Sequence, residues 1–306
     1  MNRDVLSRRD VHREITDTIA AAIEAGAKDY MMPWHQSVMR PLNAATGKSY
    51  HGVNVVVLWA AGRRRDFRSG YWATYRQWAG LEAQVRKGER GSMVVFYKSV
   101  EVERDEGEEG AQSATTAQTK LVARASWVFN ADQVNGWSPP ALPAQGAMEI
   151  RENAEAFIAA TRADIRHGGD MAYYDPAGDF IAVPHAEQFT GTKTSTATES
   201  YYSVILHELT HWAGAPTRLA RNLRARFGDH AYAMEELIAE LGAAFLCADL
   251  CIANEPRLDH AAYVSSWLQL LKDDRTALFS AASKASVAAT FLAELARCRA
   301  KCAPAA

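Results

Sequence analysis

The sequence predicts an α+β protein of two domains: a mixed α/β domain over residues 1–137 and a mainly helical domain with a small sheet over residues 148–306. A chain of 306 residues is long enough to bury two cores. Its N-terminal half alternates short apolar runs with turn signals, whereas its C-terminal half carries Ala- and Leu-rich runs with helical periodicity. Residues 138–147 contain three prolines, which resist both helix and sheet, and are predicted to form the linker.

The first domain is predicted to begin with a helix that Ser7 or Asp10 caps and that ends at Gly26. Residues 53–59 fit either a strand or a helix, and residues 72–78 are predicted to begin a short helix. The apolar side chains of the first helix recur every four residues, at Val11, Ile15, Ile19 and Ile23.

Two strands are predicted near the end of the first domain, at 92–102 and 121–134. The residues between them, 103–119, are acidic at first and then rich in Ser, Thr, Ala and Gln. This composition buries little apolar surface, so we expect a long, mobile hairpin loop whose charge serves solvation.

The second domain is predicted to start with a helix at 148–166. A hairpin follows, with strands at 171–174 and 180–184 around the turn Asp-Pro-Ala-Gly. Strand 180–183 could be a sheet edge that pairs with an extended peptide, or plain core sheet. Further helices are predicted at 232–253, 259–272 and 275–299.

Residues 203–212 contain the pattern H-E-x-x-H within an apolar run that predicts a buried helix. His207 and His211 are four residues apart, so they project from one face of that helix. Two neutral imidazoles so placed can hold one Zn²⁺ or another divalent metal, and Glu208 can deprotonate a water molecule held there. The alternative is a pair of ordinary histidines on a core helix.

A catalytic zinc needs a third protein ligand. The metzincin pattern would place a histidine six residues after His211, but Thr217 stands there and excludes that subclass. A carboxylate from a downstream helix, the gluzincin arrangement, is the remaining option. Glu236 and Glu240 lie one turn apart on such a helix; we assign Glu236 as the ligand and Glu240 as the side chain that holds a histidine N–H. Spacing alone allows the reverse order, and Glu235 is expected to be solvated.

Other side chains near these helices have two interpretations each. Tyr232 could stabilise an oxyanion, or it could be a packing tyrosine. The pairs Cys247 with Cys251 and Cys298 with Cys302 are each four residues apart. The usual C-x-x-C spacing of zinc sites is absent, so we expect buried, reduced cysteines rather than a second metal site.

The segment from residue 40 to residue 98 has eleven basic and three acidic side chains, an excess of eight positive charges, with nine aromatic residues interleaved. Cations that neutralise phosphates beside aromatic faces that stack on bases are typical of sequence-tolerant single-stranded DNA binding. The alternative is a solvated basic face over an aromatic core. The candidate DNA-binding residues are Arg40, Lys48, Tyr50, Asn54, Arg63, Arg64, Arg65, Arg68, Trp72, Arg76, Lys87, Arg90 and Lys98.

Overall composition is that of an ordinary globular protein, with 48% hydrophobic and 23% charged residues and a net charge of -2. No apolar run approaches the ~20 residues that span a bilayer, and the N-terminus lacks the apolar core of a signal peptide. We therefore expect a cytoplasmic protein without a membrane partner.

Several segments, taken in order, match one family pattern. In the N-terminal half they are P-W at 33–34, P-L-N at 41–43, T-G-K-S-Y-H-G-V-N at 46–54, Y-W-A-T at 71–74 and V-R-K-G-E-R-G at 85–91. In the C-terminal half they are Y-Y at 201–202, L-H-E-L-T-H-W at 206–212 and Y-A-M-E-E-L-I-A-E-L at 232–241. Together they resemble the ArdC-type antirestriction proteins over nearly the whole chain.

The resemblance implies a single-stranded-DNA-binding domain joined to a zincin-like metallopeptidase domain, in a protein of conjugative plasmids and other mobile elements that helps incoming DNA evade host restriction. It supports His207 and His211 as ligands and Glu208 as the catalytic residue. The implied partners are single-stranded DNA and a host protein substrate. Two alternatives stay open. One is a protein that protects single-stranded DNA by binding along it and whose metal site is structural or non-catalytic. The other is a cytoplasmic metallopeptidase that does not act on DNA.

Overall fold

The computed structural model describes residues 10–27, 32–35, 39–102, 118–140, 146–191, 195–221, 230–253 and 260–300. The expected hairpin loop at 103–119 lies outside these residues except for its last two, which belong to a strand. Of the expected linker, residues 138–140 and 146 have no regular structure, residue 147 begins a helix, and residues 141–145 lie outside the described part.

The first domain is built on a four-stranded sheet of order β1-β2-β5-β4. β1 and β2 are parallel, whereas the other neighbours are antiparallel. A separate antiparallel pair joins β3 to β6. The strands are β1 (Leu42–Asn43), β2 (Tyr71–Thr74), β3 (Gln84–Val85), β4 (Ser92–Val102), β5 (Gln118–Asn130) and β6 (Val134–Asn135).

Three helices pack around this sheet. Helix α1 (Val11–Gly26) is capped by Asp10, whose carboxylate accepts a hydrogen bond from the Arg13 backbone N–H. Helix α2 (Val53–Arg64) resolves the strand-or-helix ambiguity. Its residues 53–61 are all buried, and a helix buried on every side shows no amphipathic period. Helix α3 (Tyr75–Gly80) follows β2, so the helix predicted from residue 72 begins three residues later.

The second domain opens with helix α4 (Ala147–Thr161) and a three-stranded sheet. The predicted end of α4 at residue 166 is wrong, because Arg162 adopts the left-handed conformation (φ 58°) and Asp164–His167 forms β7. Strands β8 (Tyr173–Asp175) and β9 (Phe180–Val183) form the predicted hairpin. The sheet order is β7-β9-β8, so β9 is central and cannot be a peptide-binding edge.

Four further helices follow among the described residues of the second domain. Helices α5 and α6 cross closely: a Cβ built on Gly242 would lie 2.5 Å from the Thr210 Cγ2 atom. Gly242 is the residue at the crossing, and its lack of a side chain permits the close approach. The helices are α5 (Ala197–Ala213), α6 (His230–Asp249), α7 (His260–Asp273) and α8 (Ala277–Ala300).

The two domains pack on one continuous apolar core. It extends from Ile15 in α1 through α2 to the buried faces of α5, α6 and α8. Among the described residues, no single helix is long and apolar enough to cross a membrane. The bent pair Tyr263–Asp273 and Ala277–Cys298 meets that length and composition test only when taken together across its 117° bend.

Candidate functional site

Helix α5 brings the H-E-x-x-H side chains into the interior. Thr196 caps its first turn, accepting a hydrogen bond from the Glu199 N–H while the Glu199 carboxylate accepts from Thr196. His207 is 5% exposed, and Glu208 beside it is 3% exposed. The motif therefore lies on a buried helix, as its apolar setting predicted.

Three side chains face one another between α5 and α6. The Nε2 atoms of His207 and His211 are 3.2 Å apart. Glu236 places Oε2 3.5 Å from His207 Nε2 and Oε1 3.7 Å from His211 Nε2. Two ligand atoms about 2.0–2.1 Å from a tetrahedral ion are about 3.3–3.4 Å apart. The ligand atoms all lie within 4.8 Å of one another, so this set fits a divalent cation.

Electrostatics favour an ionised carboxylate at Glu236. Burial alone would raise the pKa of this side chain, but the hydrogen bond to His207 and the charges of His211 and His207 lower it to about 2. Tyr232 also donates a hydrogen bond to Glu236. Of the two candidate ligands, Glu236 and Glu240, Glu236 is therefore the one whose carboxylate lies beside both histidines.

Glu235 is buried rather than solvated, which corrects the expectation from the sequence. Its Oε1 accepts from His211 Nδ1 at 3.1 Å and from Arg221 at 2.7 Å. Burial opposes ionisation, yet these two partners hold the pKa of Glu235 below its usual value. Since Nδ1 of His211 donates to Glu235, Nε2 presents its lone pair to the centre, as a metal-binding histidine requires.

Glu240 occupies a different position from Glu236. Its Oε2 atom is 3.8 Å from His207 Nδ1, beyond hydrogen-bond length, while its Oε1 accepts from Trp34 Nε1 and His35 Nε2 at 3.0 Å each. The histidine N–H that Glu240 holds is therefore that of His35. No sequence pattern indicated this contact, because it joins residues more than 200 positions apart.

The Tyr232 hydroxyl contacts both Tyr263 of α7 and Glu236. Its oxygen lies 3.1 Å from that of Tyr263, and it also bonds to Glu236. Burial and these neighbours raise its pKa above the ordinary value. The hydroxyl therefore stays protonated at neutral pH and lies beside the proposed ligand set; an oxyanion role stays a prediction.

The cysteines are only partly as expected. Cys247 is fully buried, and burial raises the pKa of its thiol to about 12. Cys251 and Cys298 are exposed, so the expectation of burial is wrong for both, because each lies at or beyond the solvent-facing end of its helix. Cys302 lies outside the described residues.

A basic groove of about 860 Å³ separates α1 from α2 and the start of β4. Small side chains of α1 form one wall, and Trp127, which is 45% exposed, lies at the sheet side. Glu14 contributes an acidic group to the lining, against four arginines. Those arginines are Arg63, Arg64, Arg65 and Arg90.

Four of the DNA-binding candidates are core residues, namely Arg40, Tyr50, Asn54 and Trp72. Arg40 pairs with Asp249 at 2.9 Å and lies over the Phe245 ring. The Asn54 amide both donates to and accepts from the Val95 backbone at 2.8 Å. With 2–8% exposure these four side chains support the fold and are not available at the surface.

The remaining candidates are distributed over a wider surface than the groove. Arg65 is partly exposed and donates to the Arg90 carbonyl. The side chain of Lys98 lies outside the described part of the structure. The exposed candidates are Lys48, Arg63, Arg64, Arg68, Arg76, Lys87 and Arg90.

Comparison with known families matches two different domains to the chain. Residues 9–129 match the N-terminal domain of the anti-restriction factor ArdC, and residues 152–284 match a zincin-like metallopeptidase domain. The chain is 46% identical to protein y4eC of Sinorhizobium fredii, over 92% of this chain and 91% of that protein.

Solved structures and longer relatives agree with these matches. The metal-free crystal structure of the antirestriction protein ArdC from plasmid R388 superposes with a TM-score of 0.76 at 38% identity, covering 94% of this chain and 98% of ArdC. The Mn(II)-bound form of that protein gives a TM-score of 0.72. Two Escherichia coli DNA primases TraC are 35% and 34% identical over 91% of this chain, which spans 26% and 19% of their lengths.

Proposed function

This chain belongs to the ArdC family of antirestriction proteins, and we propose that it pairs a gluzincin-type metallopeptidase centre with a groove for single-stranded DNA. The observation that carries the peptidase proposal is the convergence of His207, His211 and Glu236 beside the buried Glu208. A related ArdC structure in the Mn(II)-bound form supports a divalent metal at this centre. We propose zinc as the physiological ion, because two imidazoles and one carboxylate are typical zinc ligands.

In the proposed chemistry His207, His211 and Glu236 would hold the ion. A divalent ion bound there would act as a Lewis acid, which polarises a carbonyl and acidifies water. Glu208 accepts the proton of the attacking water and returns it to the leaving amide nitrogen. Glu235 fixes the ring of His211 through its Nδ1–H, which keeps Nε2 directed at the ion. The substrate class is a peptide bond of a host protein.

The DNA proposal rests on the groove between α1 and α2. Four arginines against one acidic side chain would neutralise phosphates, and Trp127 offers an exposed ring on which an unpaired base can stack. Tyr97 on the neighbouring strand is half exposed and, by the strand register, lies on the same face of the sheet as Trp127. Single-stranded DNA is therefore the proposed partner of this domain, in the service of protecting incoming DNA.

A pair of measurements tests this function. Gel shifts with single- and double-stranded oligonucleotides over a salt series should show salt-sensitive preference for single strands, and absence of that preference would overturn the DNA proposal. A plasmid-transfer assay into a restricting host should then compare wild type with Glu208→Ala. Loss of protection supports proteolysis as the protective step, whereas undiminished protection favours protection by occupancy, with a metal that serves structure alone.

A further inference from the structure

A short segment of the first domain reaches the metal centre of the second. Residues 32–35 are inserted among the helices, and Met32, Trp34 and His35 are 0%, 0% and 2% exposed. The Trp34 ring packs against Trp267 of α7 at a centroid distance of 6.1 Å. The segment is thus anchored by apolar burial, which leaves its polar atoms to be satisfied inside the protein.

Both polar side chains of this segment bond to one carboxylate oxygen. Trp34 Nε1 and His35 Nε2 each lie 3.0 Å from Oε1 of Glu240, which is itself 3% exposed. An indole N–H can only donate, so Glu240 is the acceptor.

The tautomer of His35 is fixed by its own backbone. Nδ1 of His35 accepts a hydrogen bond from the Met32 backbone N–H at 3.0 Å. A nitrogen that accepts carries no proton, so the proton of this neutral imidazole is on Nε2 and points at Glu240. The donor is therefore oriented before any metal binds, and it cannot rotate away without breaking the bond to Met32.

The second oxygen of Glu240 faces the metal centre. Oε2 lies 3.8 Å from Nδ1 of His207, about 0.9 Å longer than the usual N–H···O distance of about 2.9 Å. Nδ1 is the nitrogen of His207 that does not face His211 and Glu236. A carboxylate hydrogen-bonded to such a nitrogen orients the ring and raises its basicity towards a metal, as Glu235 does for His211. Glu240 lies at ion-pair distance from His207, on the side of the ring where it can take the same role.

We propose that Trp34 and His35 are positioning residues of the metal centre: by fixing Glu240 against His207, the first domain completes a site whose ligands all come from the second. This inference rests on the proposed metal centre. The new element is that the first domain contributes to metal affinity, through two residues that are not themselves metal ligands.

The test uses the full-length chain and Co²⁺ as the probe, since its visible absorption reports ligand geometry as well as occupancy. Trp34→Phe keeps a ring and removes the N–H, and His35→Leu removes the second donor. His35→Gln restores an N–H donor and serves as the rescue. Trp78→Phe is the matched control, because it removes a buried indole donor to the Phe129 carbonyl in a separate apolar cluster.

Trp34→Phe and His35→Leu should each weaken Co²⁺ affinity about tenfold and alter the absorption spectrum, as loss of a partner behind a ligand usually does. The Co²⁺ affinities of His35→Gln and of Trp78→Phe should each stay within about threefold of the wild-type value, because neither change removes a donor to Glu240 without replacing it. Unchanged affinity and spectrum in Trp34→Phe and His35→Leu would overturn the positioning role, as would equal weakening by Trp78→Phe. If His35→Leu does not fold, the Co²⁺ affinity and spectrum of Trp34→Phe alone test the positioning role. A wild-type protein that binds no Co²⁺ would overturn the metal centre itself.

Discussion

The metal centre and the basic groove hold their charges in opposite ways. At the centre, His207, His211 and Glu236 are largely buried and face one another at 3.2–3.7 Å. In the groove, Arg63 and Arg64 are exposed and line an open channel. The first arrangement suits one small ion in a fixed geometry, whereas the second suits a long, flexible polyanion whose phosphates are met by several exposed cations.

The largest expected difference between the two regions follows from His207→Ala. Removing a direct ligand should lower Co²⁺ or Zn²⁺ affinity more than about 100-fold, since partners behind a ligand already account for 10–100-fold. With both proteins free of metal, affinity for an oligo-dT strand should be unchanged, because the groove is lined by other elements. Metal titration and gel shifts measure the two effects.

His230→Ala is the control for this variant, because His230 is an exposed histidine at the start of α6. It should bind metal as wild type does. Undiminished metal binding by His207→Ala would contradict the assigned centre.

Glu235→Gln should weaken metal binding about 10–100-fold without removing a ligand. The change deletes the charged acceptor for His211 Nδ1–H and the partner of Arg221. Metal titration distinguishes this from the solvated role that the sequence suggested, in which affinity would be unaffected. Glu152→Gln, on the exposed side of α4, is a suitable control.

Gly242→Ala should destabilise the protein by about 1–3 kcal/mol, as overpacking of a tight core contact does. The added methyl group would meet Thr210 at 2.5 Å and push α5 from α6. Urea unfolding of the metal-free protein measures the free-energy change. Gly80→Ala, whose Cβ would meet nothing within 4 Å, should be neutral or slightly stabilising, and equal losses in both variants would refute the close crossing.

Arg64→Ala should lower the slope of log affinity for oligo-dT against log salt concentration by about 0.7, the value for one phosphate contact on a single strand. Arg76 is also an exposed candidate but does not line the groove, so if the strand follows the groove Arg76→Ala should leave the slope unchanged. Equal slopes for the two variants would mean that the groove is not the path of the strand.

The smallest effect should come from communication between the regions. Pro33 lines the groove, Arg63 donates to the Met32 carbonyl, and Trp34 and His35 bond to Glu240. Saturating oligo-dT should therefore shift Co²⁺ affinity by about fivefold, the low end of usual coupling, and Co²⁺ should shift DNA affinity by the same factor. Equal Co²⁺ affinities with and without DNA would show that the two sites are independent.

Local spacing made the metal centre predictable, because residues four apart on a helix share a face whatever the fold around them. The role of Glu235 was not predictable in this way. Helix α6 is buried on almost every side, so an acidic residue outside the ligand face meets Arg221 instead of water. The contact of Glu240 with His35 depends on how the two domains pack, which no short pattern encodes.

Composition alone does not show which basic and polar side chains reach the surface. Counting charges and aromatic residues found the basic segment at residues 40–98, but Arg40 and Asn54 in that segment carry polar groups that serve the core. Similarly, Ile165 continued the apolar pattern of α4, yet the left-handed Arg162 ends that helix and places Ile165 in β7. Burial of a polar side chain and the last turn of a helix are set by tertiary contacts.

Anomalous X-ray diffraction at the zinc edge, on crystals grown with Zn²⁺, tests the central claim most directly. We predict a peak about 2.0–2.2 Å from Nε2 of His207, Nε2 of His211 and a carboxylate oxygen of Glu236, with Glu240 behind His207. A peak bound by Glu240 in place of Glu236, or no peak between α5 and α6, would contradict it.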